Sequence, residues 1–251
     1  MKTSTSFKPF VLAFLLSSLY ANSQLYVGGS INNWNKDEAL LVSQDFMTGE
    51  METWGKVDAN GEAQLELAYD FMTLLQEKAE EAKKDAPEGW SLKFKTVADT
   101  FGSDSSSFPG EFTFENGDAV VAGVPDLIVG NEEKKEKYGV LYLANSPEMA
   151  KWLYNYQMGS GTQGYYIRYY FVEKDATAKG QVSIPTVSHS GEEYDNITEV
   201  DLQLEEGWNM IKYEIAEVFT SSDGTVYPSK TVLTRERFLP EGLQWLVLDD
   251  N

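Results

Sequence analysis

Val200-Asp201-Leu202-Gln203-Leu204-Glu205-Glu206-Gly207-Trp208-Asn209-Met210 decides the fold class of this chain. Apolar and polar residues alternate strictly from Val200 to Leu204, which puts Val200, Leu202 and Leu204 on one face of an extended strand and Asp201 and Gln203 on the other. Glu205-Glu206-Gly207 then reads as a turn. Trp208, Met210, Tyr213 and Ile215 form the other arm, and the alternation breaks at Ile211-Lys212, where a bulge is expected. Strand patterns recur at 165–172, 226–237 and 243–248, and Asp223-Gly224 has the chemistry of a further hairpin turn.

Upstream, Ala63, Leu65 and Leu67 alternate with Gln64 and Glu66 after Asp58-Ala59-Asn60-Gly61, a loop whose Asn and Gly accept positive φ cheaply. Shorter strand signals lie at 91–97, 112–114, 126–129 and 140–143. Two segments change period. Phe71, Leu74, Leu75, Lys78, Ala79 and Ala82 recur at helical spacing over 70–85 and stop before Pro87 and Gly89. Ser146 as N-cap, Pro147 at the first position and Glu148 at the positive end of the dipole open a second helix over 146–158. The expected fold is mainly β: antiparallel β-sandwich modules with two amphipathic helices. It divides into a small module at 24–69, a helical connector at 70–88 and a larger antiparallel region at 89–251. Residues 102–110 read as a polar loop, and 132–137 as a solvated charged link.

Residues 1–23 read as an export leader: Lys2 and Lys8, an apolar run over 10–20, then Ala21-Asn22-Ser23 before Gln24. A membrane-spanning helix needs roughly twenty apolar residues, so no transmembrane segment is expected once the leader is removed. The chain is strongly acidic, with net charge −20. Such a field repels phosphate backbones and anionic lipids and so disfavours nucleic acid. There is no cysteine, hence no disulfide framework, and stability must come from burial; 42% hydrophobic composition suffices for it. These features point to a bacterial protein exported to the periplasm or the exterior.

Two patches carry a family resemblance. Gly28-Gly29-Ser30-Ile31-Asn32-Asn33-Trp34 with Lys56 to Leu65, and Val172 to Gly180 with Val200 to Asn209, resemble uncharacterised exported bacterial proteins that have an N-terminal transthyretin-like β module and a Gly-Trp-Asn-containing C-terminal β region. The chain departs from the pattern at Leu67-Ala68-Tyr69, where a Leu-Pro usually closes the first module. The resemblance implies a fold and a compartment, and no activity.

Reactive constellations are sparse. The single histidine, His189, lies in a polar Ser-His-Ser-Gly loop without a nucleophile elbow, which argues against a Ser-His-Asp centre. Paired carboxylates are the one catalytic device the composition supplies in quantity, yet no spacing singles out a pair, so a carboxylate-dependent hydrolase of glycan or peptide stands as the alternative. No cofactor is implied. Calcium would suit the oxygen donors at Asp58-Ala59-Asn60-Gly61-Glu62 or Asp223-Gly224, but neither continues as an EF-hand loop and both read as hairpin turns. The densest aromatic patch is Tyr154, Tyr156 and Tyr165-Tyr166-Ile167-Arg168-Tyr169-Tyr170. As a strand it carries rings on both faces, of which one must be core and the other is either a packed second layer under the Trp152 helix or a contact surface. Tyr165, Tyr166, Arg168, Tyr169 and Tyr170 are therefore the candidate binding residues, for a glycan or protein at the cell envelope. Trp34, Trp54, Trp90, Trp208 and Trp245 are assigned to cores.

Overall fold

The computed structural model describes residues 24–45, 49–84, 86–87, 89, 92–102, 110–131 and 136–249. The leader, Trp90, most of the 102–110 segment and positions 132–135 lie outside them. The chain is mainly β, with strands β1 (Gln24–Ser30), β2 (Ala39–Gln44), β3 (Met51–Val57), β4 (Glu62–Ala68), β5 (Glu111–Glu115), β6 (Val121–Gly123), β7 (Leu127–Asn131), β8 (Glu136–Ala144), β9 (Gly164–Val172), β10 (Ala176–Val187), β11 (Glu193–Leu204), β12 (Gly207–Thr220), β13 (Val226–Glu236) and β14 (Gln244–Leu248). The helices are α1 (Phe71–Lys84), α2 (Val97–Phe101) and α3 (Pro147–Tyr154), and none is long and apolar enough to cross a membrane.

Hydrogen bonding runs through the strands in the order β1-β4-β3-β2-β7-β8-β9-β12-β13-β11-β10-β5, with β14 on β8 and β6 on β9. The segment 24–69 supplies β1 to β4, which pair onward to β7. A parallel bridge between Ile31 and Trp245 joins the end of β1 to β14, so seven strands come round on themselves. Their interior is the first core, where Ala63, Leu65 and Leu67 of β4 are buried as the alternation requires, beside Leu41, Val57, Val129 and Trp245. Full burial of one such leucine contributes about 1.5–3 kcal/mol. A second core lies under α2, around Val172, Val200, Leu202, Ile211 and Leu233, and a third under α3, around Met149, Trp152 and Tyr166.

Three local expectations are corrected. Glu205-Glu206-Gly207 does not join paired arms, because β13 lies between β11 and β12 and pairs with β11 in parallel. The bulge falls at Ala216, between Ile215 and Glu217, rather than at Ile211-Lys212. Met210 and Ile211 are both buried because β12 is covered on both faces, Met210 reaching the first core and Ile211 the second. The 91–97 segment is not a strand among its described residues; it leads into α2, whose Thr96 cap accepts from the Asp99 amide at 3.1 Å while the Asp99 side chain accepts from Thr96 N–H at 3.0 Å. Finally, β10 was not evident in the sequence: Gly180 and Pro185 interrupt its pattern, and only Ala176, Ala178 and Val182 are its buried apolar residues. Pro185 is tolerated because β5 pairs only with 177–181, leaving that stretch of β10 at the edge.

The α3 cap is as expected, with Ser146 Oγ accepting from Met149 N–H at 3.1 Å and Pro147 in the first turn. Trp54 and Trp245 are buried, while Trp34 and Trp208 pack half-buried against the first core.

Candidate functional site

The interposition of β13 aligns one face of four strands into rows. Tyr213 on β12 pairs with Tyr166 on β9 and with Leu233 on β13, and Leu233 pairs with Val200 on β11. One step outward, Ile215, Thr231 and Thr198 are aligned. Beyond them on the same face of β11 come Asn196 and Tyr194, because side chains two residues apart share a face. Tyr227 of β13, which pairs with Phe219, closes this outer end. Phe101 of α2 and Trp152 of α3 wall the inner end. The open cleft between them has a volume of about 480 Å³.

Phe101, Trp152, Tyr166, Tyr194, Tyr213 and Tyr227 bring rings to its walls. Tyr166 stacks on Tyr213 at 4.9 Å between centroids and 9° between planes, and Tyr194 stacks on Phe219 at 4.8 Å and 3°, with Tyr227 at 5.6 Å. Between these aromatic groups, Asn196, Thr198 and Thr231 are partly exposed, and their side chains have no hydrogen-bond partner among the described residues. Gln157 enters from the turn after α3. Tyr156 and Gln157 both hold left-handed backbone, at φ 55° and 61°, a conformation that costs a non-glycine residue about 1–3 kcal/mol. Their N–H groups donate to the carbonyls of Leu153 and Trp152, each at 2.9 Å, and the Gln157 amide meets the Tyr166 hydroxyl. Two further wall atoms, Trp152 Nε1 and Thr100 Oγ1, are buried without a partner among the described residues.

The described lining contains no Asp, Glu, Lys, Arg or His. Burial pushes Tyr166 up to about 12 and Tyr213 well above its ordinary value, and burial followed by the nearby Tyr227 raises Tyr194, so these three hydroxyls stay protonated. The cleft is uncharged in a chain of net charge −20.

Of the candidate residues, the structure brings Tyr166 alone to this cleft; it is 7% exposed and belongs to the floor. Tyr170 donates to or accepts from Tyr213 Oη at 2.9 Å and meets Phe101 edge-on at 5.3 Å, so it supports the floor from the side. Tyr165 and Tyr169 point to the opposite face, into the first core. Tyr165 Oη donates to the Glu241 carbonyl at 2.5 Å, and Tyr169 is buried, its hydroxyl 3.4 Å from Met210 Sδ and its pKa raised by burial. Arg168 is half-buried and pairs with Asp126 at 3.5 Å. An open aromatic face on β9 is thus not observed. Both faces of this strand are packed, with Tyr165 and Tyr170 half-buried as Tyr194 of β11 and Tyr227 of β13 are, and the exposed ring of the tyrosine patch is Tyr156 after α3, at 83%.

Paired acids occur elsewhere. In a second cleft, between α1 and the β2–β3 hairpin, Lys78 Nζ lies 3.0 Å from Asp45 and 2.8 Å from Glu52, beside Trp54, Phe71 and Leu75. Burial works against the Lys78 charge, but hydrogen bonds to Glu52 and then Asp45 outweigh it and hold the ammonium above its usual value. Asp58 and Asp223 serve their own turns. Asp58 accepts from the N–H groups of Asn60 and Glu62 at 2.8 and 2.9 Å, and Asp223 from Ser221 Oγ and Thr225 N–H at 2.5 and 2.9 Å. His189 is exposed, its Nδ1 2.9 Å from Tyr227 Oη. Among the described residues there is no group of three or more metal-ligating side chains. No family model, curated protein or solved structure matches the chain.

Proposed function

We propose that this chain is an exported, non-enzymatic binding protein of the bacterial cell envelope, and that the cleft over β9-β12-β13-β11 receives its partner. The carrying observation is the lining: six aromatic rings and unpaired neutral polar groups, with no charged side chain, in a strongly acidic protein. In a concave site the placed polar groups fix a ligand's orientation, and this cleft exposes somewhat more polar than apolar surface. The order of charge, apolar run and small residues in 1–23 supports export.

Titration of the purified chain with envelope glycans and proteins tests the reading. A ligand lost on Tyr194→Ala plus Tyr227→Ala, with unchanged far-ultraviolet circular dichroism, supports it; a ligand indifferent to both substitutions refutes it. Product formation that disappears on Asp45→Asn or Glu52→Gln would favour the hydrolase alternative. Mass spectrometry of the exported species is expected to find Gln24 at its N-terminus.

A further inference from the structure

We infer that the ligand of this cleft is an uncharged oligosaccharide lying along β11 and β13; the inference rests on the binding reading above. From Val200 to Tyr194 the floor follows seven residues of one strand, six rises and a length on the order of 20 Å. That is room for several sugar rings in line. The order of chemistry along the path is aromatic, hydroxyl and amide, aromatic: Tyr166 and Tyr213, then Thr231, Thr198 and Asn196, then Tyr194 and Tyr227. A pyranose ring presents an apolar C–H face and a rim of hydroxyls, so it needs this alternation of ring faces with neutral groups that both donate and accept.

Other ligand classes fit less well. A purely apolar occupant would strip water from Asn196, Thr198 and Thr231 without replacing their hydrogen bonds, at about 1–3 kcal/mol for each group left unpaired. An acidic glycan finds no cation in the described lining and meets the field of a chain with net charge −20. A basic peptide finds no carboxylate there.

The test is calorimetric titration of the leader-free chain with short neutral oligosaccharides of glucose, mannose and xylose, and with an oligogalacturonide as the acidic counterpart. At least one neutral chain should bind, with affinity insensitive to added salt, because no ion pair is formed. Tyr194→Ala should weaken it about tenfold, equivalent to about 1.4 kcal/mol. The near-isosteric Thr231→Val should weaken it severalfold while leaving the melting temperature within a few degrees, which separates lost recognition from lost folding. Tighter binding of the oligogalacturonide, or no binding by any neutral chain, overturns the inference. If a protein or charged ligand binds and Tyr194→Ala abolishes it, the cleft reading survives and the neutral sugar does not. If a neutral sugar binds and both substitutions are silent, the cleft reading falls as well.

Discussion

Asn209 grips the backbone of Glu205 with both ends of its amide: Oδ1 accepts from Glu205 N–H at 3.0 Å and Nδ2 donates to the Glu205 carbonyl at 2.7 Å. A third bond, from Nδ2 to the Gly207 carbonyl at 2.9 Å, completes the clamp, and Asn209 is 1% exposed. The clamp turns the chain from β11 to β12 so that β13 fits between them. Replacement by alanine strands buried backbone groups, at about 1–3 kcal/mol for each. Asn209→Ala is therefore expected to destabilise by about 2 kcal/mol or more, read as a lower urea midpoint at unchanged slope. Asn209→Asp keeps the shape, replaces the donor with an acceptor, and should be no better. A variant within 0.5 kcal/mol of the parent, about the spread of neutral surface substitutions, would show the clamp to be dispensable.

Gly29 is fixed by Trp245. A Cβ on Gly29 would fall 2.0 Å from the indole Nε1 and 2.3 Å from Cδ1, whereas one on Gly28 meets nothing closer than the Ala63 carbonyl at 3.5 Å. The Ile31–Trp245 bridge that rounds off the first seven strands runs through the same contact. Gly29→Ala should cost about 1–3 kcal/mol through overpacking. Gly28→Ala should be neutral or stabilising by a few tenths, since it restrains the unfolded chain. Thermal melts of the two variants side by side decide this, and equal melting temperatures would contradict the close approach.

Local physics was legible in the sequence and long-range pairing was not. The alternation at Ala63, Leu65 and Leu67, the Ser146-Pro147 helix start and the turns at Asp58 and Asp223 depend on neighbours a few residues away, and all are present. The insertion of β13 between β11 and β12 depends on pairings that no local pattern encodes. Hence the sequence around Glu205 has the look of a hairpin turn although the arms it joins do not pair. The site suffered in the same way. The tyrosines of β9 are the densest in sequence, but a central strand covered on both faces spends them on cores. Tyr194, Asn196 and Thr198 do share one face by period two, a signal available in the sequence. That this face opens on Tyr227 follows only from the register of β11 against β13.

Acid should weaken the fold through Glu205. Its hydrogen bond and charge pairing with Arg235, and then the charge of Arg237, hold its carboxyl below the usual range, with Arg235 contacts at 2.7 Å. A depressed folded-state pKa contributes stability that is fully present above the unfolded value, near 4.5, and is lost as pH falls through the folded one. Relief of the net negative charge acts in the opposite direction in acid, so the parent's melting curve alone is ambiguous. The difference between parent and Glu205→Gln isolates the group. The variant should melt lower at neutral pH, and the gap should close as pH falls from 4.5 through the depressed folded-state value. A gap that stays constant with pH would assign the loss to shape rather than charge.

Glu192 links folding to the proposed site. One of its oxygens accepts from Ser222 N–H at 2.7 Å, Ser222 Oγ at 3.1 Å and Ser190 Oγ at 2.7 Å, tying the β10–β11 loop to the β12–β13 loop. Those two loops border Tyr194 and Tyr227, which form the outer wall of the cleft. The Ser190 hydrogen bond and then the Ser222 N–H hold the Glu192 carboxyl low, so the tie persists above about pH 4.5, the ordinary value, and is lost when the carboxyl takes up a proton. Glu192→Gln keeps an acceptor but removes the charge, and charge-assisted bonds are roughly twice as strong as neutral ones. Glu192 touches no ligand in this scheme. It positions two rings that do, so Glu192→Gln should raise the Kd of a bound oligosaccharide severalfold and faster tip opening should appear as increased amide exchange at 222–225. Glu192→Asp, which retains the charge on a shorter arm, should recover part of the affinity. Weakened binding with unaltered exchange at those amides would mean that Glu192 acts on the ligand directly and that the tie between the loops is incidental.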